Sequence, residues 1–272
     1  METHEIETER FFERGIENYG AFHGNYLNFG LWEKGITEYV KAAENLISRV
    51  AKKINLNENS VLLDVGCGMG AQNRFFLENY GCKLIKALDL TRKHIELAKS
   101  MNKHENLEYV VGNACQLPYE ENTFTHITGI EAPANFNTRE KFFVEANRVL
   151  KKDGMIGLSD FILAREPKNR LELKMLKFGA RLWHIPFENV DNIDSYKEKM
   201  EVNGFTDVNI DVVSNDVYPG YYQEQMRPET RKQLYKIRGQ VVGRASHLID
   251  FFTDRLYQIG LIGYVLVSAR KE

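Results

Sequence analysis

The sequence predicts an α/β protein with a doubly wound sheet that carries helices on both faces. Two observations predict this fold class. Short apolar runs alternate with helical segments through the middle of the chain, and turn-forming residues separate each helix from the next run. Such apolar runs are typical of parallel strands buried on both faces, and strand–helix alternation is the pattern of a doubly wound sheet.

The predicted elements follow one another in a regular order. A helix with an apolar stripe covers 38–53, and the turn-forming stretch NLNENS leads from it into the first strand, 61–65. Further strands are predicted over 83–89, 107–111, 124–130, 155–161, 206–213 and 261–269. Helices are predicted between them, including 139–152, which an Asp153-Gly154 turn connects to strand five. Another helix starts at Tyr196, and 228–256 is mainly helical. Thr91 and Thr138 are predicted N-caps.

The chain divides into a helical cap over 1–57 and a Rossmann-like domain over 58–272. Two insertions, at about 162–194 and 214–256, interrupt this domain after strands five and six. Ligands of doubly wound sheets bind beyond the carboxyl ends of the strands, and the insertions should cover that edge. We therefore expect the insertions to act as lids.

Composition and charge exclude several kinds of partner. The net charge is -2 and the basic residues are scattered, so neither nucleic acid nor an anionic membrane is expected. The acidic, polar start resembles neither a signal nor a transit peptide, and no apolar run is long enough to span a membrane. The three cysteines lack metal-ligand spacing and are expected to be reduced thiols. A cytoplasmic protein is predicted, and a homodimer is left open.

A glycine-rich turn follows the first strand. Asp64-Val65-Gly66-Cys67-Gly68-Met69-Gly70 places glycines at alternate positions. Glycine permits positive φ angles and lets backbone N–H groups approach a ligand closely. The motif by itself also fits an ordinary tight turn, so other residues must support a binding site.

Polar residues at the ends of strands two and three supply that support. Asp89 lies about 20 residues beyond the glycines, where a carboxylate can accept both hydroxyl hydrogens of a ribose. After strand three, the Asn113 side chain could accept from an adenine amine, while the Ala114 N–H donates to a ring nitrogen. The GxGxG spacing argues against a dinucleotide pyrophosphate. The pattern fits a cofactor with an adenosine but no phosphates.

The segments LDVGCGMG, ALDLT, VGNACQLPY and NRVLKKDGMIGLSDF together resemble the methyltransferases that depend on S-adenosylmethionine (SAM). The resemblance covers about residues 24–213 and is closest to the small-molecule branch, which includes ubiquinone/menaquinone, sugar, terpenoid and lipid-tailoring enzymes. It implies a seven-stranded, mostly parallel sheet of order 3-2-1-4-5-7-6 with the last strand antiparallel. It also implies that Asp89 holds the ribose, that the glycine turn passes the methionine part, and that Asn113 and Ala114 flank the adenine. The expected cofactor residues are Asp64, Gly66, Cys67, Gly68, Gly70, Gln72, Asp89, Leu90, Asn113, Ala114 and Ile130.

The substrate is expected beside the methyl group, under the cap and lids. Tyr26–Trp32 resembles a segment that reads L-H-F-G-Y-W in this branch and covers the methionine end of the cofactor, with Asn28 at the usual His position. Aromatic walls suit a lipophilic, polycyclic or cationic substrate, although such clusters also pack a core. The expected substrate-binding residues are Tyr26, Asn28, Trp32, Trp183, Phe187 and Tyr222.

Catalysis of methyl transfer depends largely on proximity and alignment, because the reaction is an in-line displacement. A base is needed only for an acceptor whose proton has a high pKa. The candidates are Glu131 after strand four, His184 in the lid and His23 in the cap. Glu131 could instead hold the cofactor's amino group or a backbone N–H of the cap. No Asp-Asn pair accompanies Glu131, so no metal is expected.

The sequence thus predicts a SAM-dependent methyltransferase, with S-adenosylhomocysteine (SAH) as the cofactor product. We expect it to methylate an O or C atom of a small lipophilic metabolite, such as a polyketide, quinone or isoprenoid. The alternatives are N-methylation of a small amine and a catalytically silent SAM-binding scaffold. Fold and cofactor motif carry no information on which substrate is used.

Overall fold

The computed structural model describes residues 3–13 and 23–272, which fold around a seven-stranded sheet. The strands in chain order are β1 (Val61–Val65), β2 (Leu84–Asp89), β3 (Leu107–Val111), β4 (Phe124–Ile130), β5 (Leu150–Leu163), β6 (Phe205–Val212) and β7 (Ile262–Lys271). Their spatial order is β3-β2-β1-β4-β5-β7-β6. Strands β1 to β5 pair in parallel, and β7 runs antiparallel to both β5 and β6. The predicted fold class, strand order and antiparallel last strand are confirmed.

Helices cover both faces of this sheet. In chain order they are α1 (Thr3–Glu13), α2 (Tyr39–Lys53), α3 (Ala71–Tyr80), α4 (Arg92–Met101), α5 (Arg139–Val149), α6 (Arg170–Leu182), α7 (Ile193–Val202), α8 (Ser214–Met226) and α9 (Pro228–Gln258). Gly239 interrupts α9 with a φ of 74°. Helices α2, α3 and α4 pack on one face, and α5 and α7 pack on the other.

The alternation of side chains along the strands explains why both faces are covered. In β1, Leu62 belongs to the core on the α2 face, whereas Leu63 and Val65 belong to the core on the α5 face. In β7, Tyr264 and the adjacent Val265 divide in the same way. Successive side chains of a strand point to opposite faces, so an uninterrupted apolar run is buried on both.

The largest difference from the predicted elements lies in strand five. The helix predicted over 139–152 ends at Val149, and β5 begins at Leu150. Asp153 has a φ of 62°, and the register of β4 against β5 shifts close to this point. The predicted Asp153-Gly154 turn is therefore an irregularity inside a longer strand, as at a β-bulge, and does not connect helix to strand.

The helix starts depend on side-chain and backbone caps. Thr138 caps α5 as predicted. Thr91 stands at the N-cap position of α4, but its side chain caps none of the described N–H groups. Asp89 instead accepts a hydrogen bond from the Thr91 N–H at 2.8 Å and fixes this turn. Helix α7 starts earlier than the predicted Tyr196, because Asn192 caps it.

The insertions and the segment before α2 meet next to the sheet. The first insertion contains α6, the second contains α8 and most of α9, and Gly179 of α6 packs against Leu256 of α9. The Trp32 N–H donates to the Asp216 carbonyl at 2.6 Å and joins the segment before α2 to α8. Helix α2 itself is buried against the sheet, so a division at residue 57 stays a prediction. Within the described ranges, no helix is long and apolar enough to cross a membrane.

Candidate active site

A cavity of about 990 Å³, including its open mouth, lies at the carboxyl ends of β1, β2, β3 and β4. Seven of the expected cofactor residues line it: Gly66, Gly68, Asp89, Leu90, Asn113, Ala114 and Ile130. Asp64, Cys67, Gly70 and Gln72 are not among its lining residues. The described part of the lining contains neither lysine nor arginine. These lining residues fit a cofactor that contains adenosine but no pyrophosphate.

The glycine turn has the geometry that the sequence predicts. Gly66, Gly68 and Gly70 have φ angles of 68°, 54° and 79°. A Cβ at Gly66 would lie 2.3 Å from the Cβ of Ala132, and one at Gly70 would lie 2.2 Å from the Tyr109 hydroxyl oxygen. Positive φ and lack of space therefore both require glycine at these two positions. The turn forms a wall of the cavity at Gly66 and Gly68, where a side chain would project into crowded space.

Asp64 fixes this turn from behind. Its buried carboxylate accepts hydrogen bonds from Gln72 at 2.8 Å, Asn73 at 2.6 Å and Thr128 at 2.7 Å. Burial raises the pKa of Asp64 to about 6, against the effect of these three donors. Asp64 thus connects β1 to α3 and β4. Asp64 and Gln72 therefore support the glycine turn from behind and do not line the cavity.

Asp89 is positioned by the backbone and by a histidine that the sequence analysis overlooked. One carboxylate oxygen accepts from the Gly68 N–H at 2.9 Å, and the other accepts from the Thr91 N–H and lies 3.2 Å from His94 Nδ1. Burial opposes protonation of His94, but the neighbouring Asp89 charge and hydrogen bond raise its pKa overall. The only feature of the sequence that could have pointed to His94 is its place as a polar residue in the first turn of α4, just after Asp89. His94 is a cavity-lining partner of the expected ribose carboxylate.

Asn113 lines the cavity in an orientation that differs from the expected one. Its amide oxygen accepts from the Cys115 N–H at 2.8 Å, and its amide nitrogen donates to Glu5 Oε1 at 2.6 Å. The amide group that faces the carboxylate of Glu5 is therefore a donor. Sequence reasoning assigned an acceptor role to Asn113 and did not consider Glu5 at all.

Glu131 occupies the end of the cavity beside the segment before α2. It is half-buried, and its φ is 55°. Its Oε1 accepts from the Phe29 N–H at 2.7 Å and from the Tyr264 hydroxyl at 2.5 Å. Burial raises the pKa of Glu131 to about 8, and the two hydrogen bonds only partly offset this effect. A carboxyl group with this pKa can exchange a proton near neutral pH.

A second, apolar cavity of about 570 Å³ lies between β5, α6 and α9. Phe161 and Trp183 line both cavities, so the second space adjoins the first. The Trp183 indole N–H donates to the Thr253 hydroxyl at 2.7 Å, which holds the ring between α6 and α9. The remaining walls are mostly aliphatic, namely Ala134, Ile162, Leu176, Gly179, Ala180, Ile185, Val190, Leu256 and Ile262, together with Asn189 and Tyr218.

Of the residues expected to bind substrate, Trp183 alone lines either of these cavities within the described chain. Tyr26, Asn28 and Trp32 make hydrogen bonds inside the segment before α2 and with α2. Phe187 is 44% exposed. Tyr222 is half-buried, whereas the ring of Tyr221 stacks on Phe29 at 3.8 Å. A shift of one residue turns a helical side chain by about 100°, so the sequence could not choose between the two tyrosines.

The two candidate histidines line neither cavity. His184 stacks on His4 of α1 at 4.7 Å and on Phe11 at 5.5 Å. His23 packs against the Tyr39 ring at 4.0 Å, and burial followed by the nearby Arg238 charge lowers its pKa to about 3. The structure brings Glu131 to the cofactor cavity and leaves both histidines outside it.

Comparison with known proteins finds similarity to methyltransferases. Residues 63–158 match the family described as "Methyltransferase domain". The chain is 28% identical over 259 residues to the erythromycin 3''-O-methyltransferase of Saccharopolyspora erythraea, covering 91% of this chain and 84% of the relative. It is 24% identical over 250 residues to the sarcosine/dimethylglycine N-methyltransferase of Halorhodospira halochloris, covering 89% and 85%. Its fold is similar to that of the geranyl diphosphate C-methyltransferase of Streptomyces coelicolor A3(2), with a TM-score of 0.73, 15% identity and coverage of 100% and 98%.

The sheet order, the glycine turn and the carboxylate at the end of β2 define an enzyme of the methyltransferase class. The chain contains a methyltransferase domain over residues 63–158, and over most of its length it is similar to methyltransferases that act on small molecules. The matched methyltransferase domain agrees with SAM, the cofactor that the sequence motifs predict.

Proposed function

We propose that this enzyme transfers the methyl group of SAM to an oxygen or carbon atom of a small lipophilic metabolite. The observation that carries the proposal is the apolar cavity, because it adjoins the cofactor cavity at Phe161 and Trp183. A substrate whose body fills the apolar cavity would present one atom at this junction. The 28% identity to an O-methyltransferase that acts on erythromycin supports a hydroxyl acceptor on a large apolar molecule.

The residues of the cofactor cavity would hold SAM, which supplies a methyl group on a positively charged sulfur. Asp89 would accept hydrogen bonds from the ribose hydroxyls, and the turn at Gly66 and Gly68 would lie beside the methionine part. Alignment of acceptor and methyl supplies much of the rate. Glu131 would take the proton of a hydroxyl acceptor. A reaction without a metal stays a prediction of the sequence, and EDTA in the assay tests it.

Methyl transfer from labelled SAM tests this proposal, with hydroxyl-bearing macrolides, isoprenoid alcohols and quinols as acceptors, in buffer with EDTA. Ala180→Leu narrows the apolar cavity and should raise the KM for the acceptor by about tenfold, a loss of roughly 1.4 kcal/mol of binding. Affinity for SAH should stay unchanged. Ala245→Leu is the matched control, because Ala245 is exposed on α9. If Ala180→Leu and Ala245→Leu have the same kinetics, the acceptor does not use this cavity.

A small amine is the second candidate acceptor. Phe29, Phe161, Trp183 and the Glu131 carboxyl lie around the same end of the cofactor cavity, an arrangement that suits a cation. The N-methyltransferase relative agrees with this possibility. Glycine, sarcosine and dimethylglycine therefore belong in the same assay. Transfer to these amines alone would overturn the lipophilic assignment.

A further inference from the structure

Helix α1 covers the adenosine end of the cofactor cavity. His4, Glu5, Thr8 and Phe12 line the cavity from this helix. The ring of Phe12 meets the His94 ring edge-on at 6.4 Å, next to the expected ribose carboxylate. The chain thus contributes a wall from an element that lies outside the sheet and its glycine turn.

Glu5 is the charged residue of this wall that reaches the strand-three side of the cavity. It is 8% exposed, and its Oε1 accepts the 2.6 Å hydrogen bond from the Asn113 amide nitrogen. Asn113 and Ala114 follow β3, where the sequence places the edge of the adenine. The Asn113 amide oxygen already accepts from the Cys115 N–H. The side chain at the end of β3 therefore presents a donor and holds a carboxylate at the position where an acceptor was expected.

We propose that Glu5 is the residue that accepts a hydrogen bond from the exocyclic amine of the cofactor's adenine, with Asn113 positioning its carboxylate. A carboxylate offers about four acceptor sites, so Glu5 can accept from the adenine amine while it keeps other hydrogen-bond partners. Hydrogen bonds to charged acceptors are shorter and stronger than bonds to an amide oxygen. The pairing also links cofactor binding to α1, since the amine is held by a helix at the start of the chain. This assignment rests on the SAM cofactor and is independent of the methyl acceptor.

A carboxylate at this position makes the enzyme selective for an amine at the purine ring. S-inosylhomocysteine is SAH with this amine replaced by a carbonyl oxygen. This oxygen and the Glu5 carboxylate are both acceptors, so no hydrogen bond can form between them. Sites built around a hydrogen bond reject analogues that cannot form it, because a buried polar group is left unpaired. Glutamine keeps the length of the side chain but offers an N–H₂ group that can donate to the carbonyl.

Titration calorimetry of the full chain with SAH and S-inosylhomocysteine tests the proposal. The wild type should bind SAH at least about tenfold more tightly than the inosine analogue, and Glu5→Gln should bring this ratio close to one. Glu7→Gln is the matched control, because Glu7 is exposed on the same helix. It should keep the wild-type ratio.

The ratio of the two affinities distinguishes recognition of the adenine amine by Glu5 from a purely structural role of this residue. If Glu5→Gln weakens both ligands by the same factor, Glu5 only anchors α1 and the proposal is wrong. An unchanged ratio with unchanged affinities overturns it as well. A wild type that binds SAH normally but methylates no lipophilic acceptor contradicts the proposed function and leaves this test intact.

Discussion

At the scale of single residues, Glu131 joins the cofactor cavity to two distant parts of the chain. Its carboxyl accepts from the Phe29 N–H before α2 and from the Tyr264 hydroxyl on β7. Both bonds use the same oxygen, Oε1. The residue therefore anchors the segment that covers the methyl end of the site, and its raised pKa of about 8 also suits proton transfer. The two roles predict different kinetics.

Replacing Glu131 by Gln keeps an acceptor for both bonds and removes the basic group. If Glu131 is the base, kcat should fall by about 10²–10⁴-fold while SAH affinity stays near normal. The wild-type rate should rise with pH as the carboxylate forms, reach half of its maximum near pH 8 and level off above that, and the variant should lack this rise. Steady-state kinetics across pH, with calorimetry for SAH, measure both. Weaker cofactor binding with a surviving kcat would make Glu131 a binding residue.

Thermal unfolding of the same variant provides an independent check of the pKa. The folded-state pKa is raised from the ordinary 4.5 to about 8, so the folded protein binds this proton more tightly than the unfolded chain. The resulting stabilisation is fully present below pH 4.5 and is lost as the pH rises through 8. Relative to Glu131→Gln, the wild type should therefore lose Tm across this interval.

At the scale of elements, a buried arginine holds the loop after β4 in place. Arg139 of α5 is fully buried and donates to Asp160 at 2.9 Å and to Asp191 at 2.5 Å. It also donates to the carbonyl of Asn189, whose amide nitrogen donates to the carbonyls of Ala134 and Phe136. Asn189 and Ala134 line the apolar cavity, and Phe136 lines the cofactor cavity. One side chain thus connects the helix layer behind the sheet to the walls of the site.

Arg139→Met should lower the free energy of unfolding by about 3–5 kcal/mol, because it leaves the buried Asp160 carboxylate without its cationic partner. Arg74→Met is the control, since the ion pair of Arg74 with Glu78 is exposed and such pairs contribute about 0.2–1 kcal/mol. Urea denaturation of both variants measures the difference. Equal losses in the two variants would mean that the buried network is not a main support of the fold.

At the scale of the whole molecule, the sheet is a rigid base and the site is completed by elements outside it. Helix α1, helices α6 and α9, and the segment around Phe29 supply walls that the strand ends do not. Lids come from the less stable parts of a protein, because they must open to admit ligands. The cofactor should therefore order these elements more than the sheet.

Hydrogen exchange should be faster in α1, α6 and α9 than in strands β1 to β5 when no cofactor is present. Saturating SAH should slow exchange most in α1, because Glu5, Thr8 and Phe12 line the cofactor cavity. Helix α5, packed on the sheet face opposite α2, is the internal control and should change little. Exchange that is equally slow in the lids and in the strands without cofactor would contradict the lid interpretation.

The sequence by itself determined the sheet and the residues at the strand ends that line the cofactor cavity. It determined the strand order through the family resemblance. Apolar runs, helical stripes and the glycine turn are local patterns. A parallel sheet brings the ends of its strands to one edge, so the sequence predicts that Gly66, Asp89 and Asn113 lie together there. The end of α5 and the start of β5 were misplaced, because an Asp-Gly pair signals a turn as readily as a bulge.

Only the tertiary structure decided which side chains complete the site. Asn113 and Glu5 are 108 positions apart, and Glu131 and Tyr264 are 133 positions apart. No local periodicity encodes such pairs, because they depend on how separate elements pack. The same reason explains why Tyr221 and not Tyr222 meets Phe29, and why His23 and His184 lie outside the cavities. Strand ends are placed by the backbone alone, whereas the groups that close over them are placed by the packing of the complete fold.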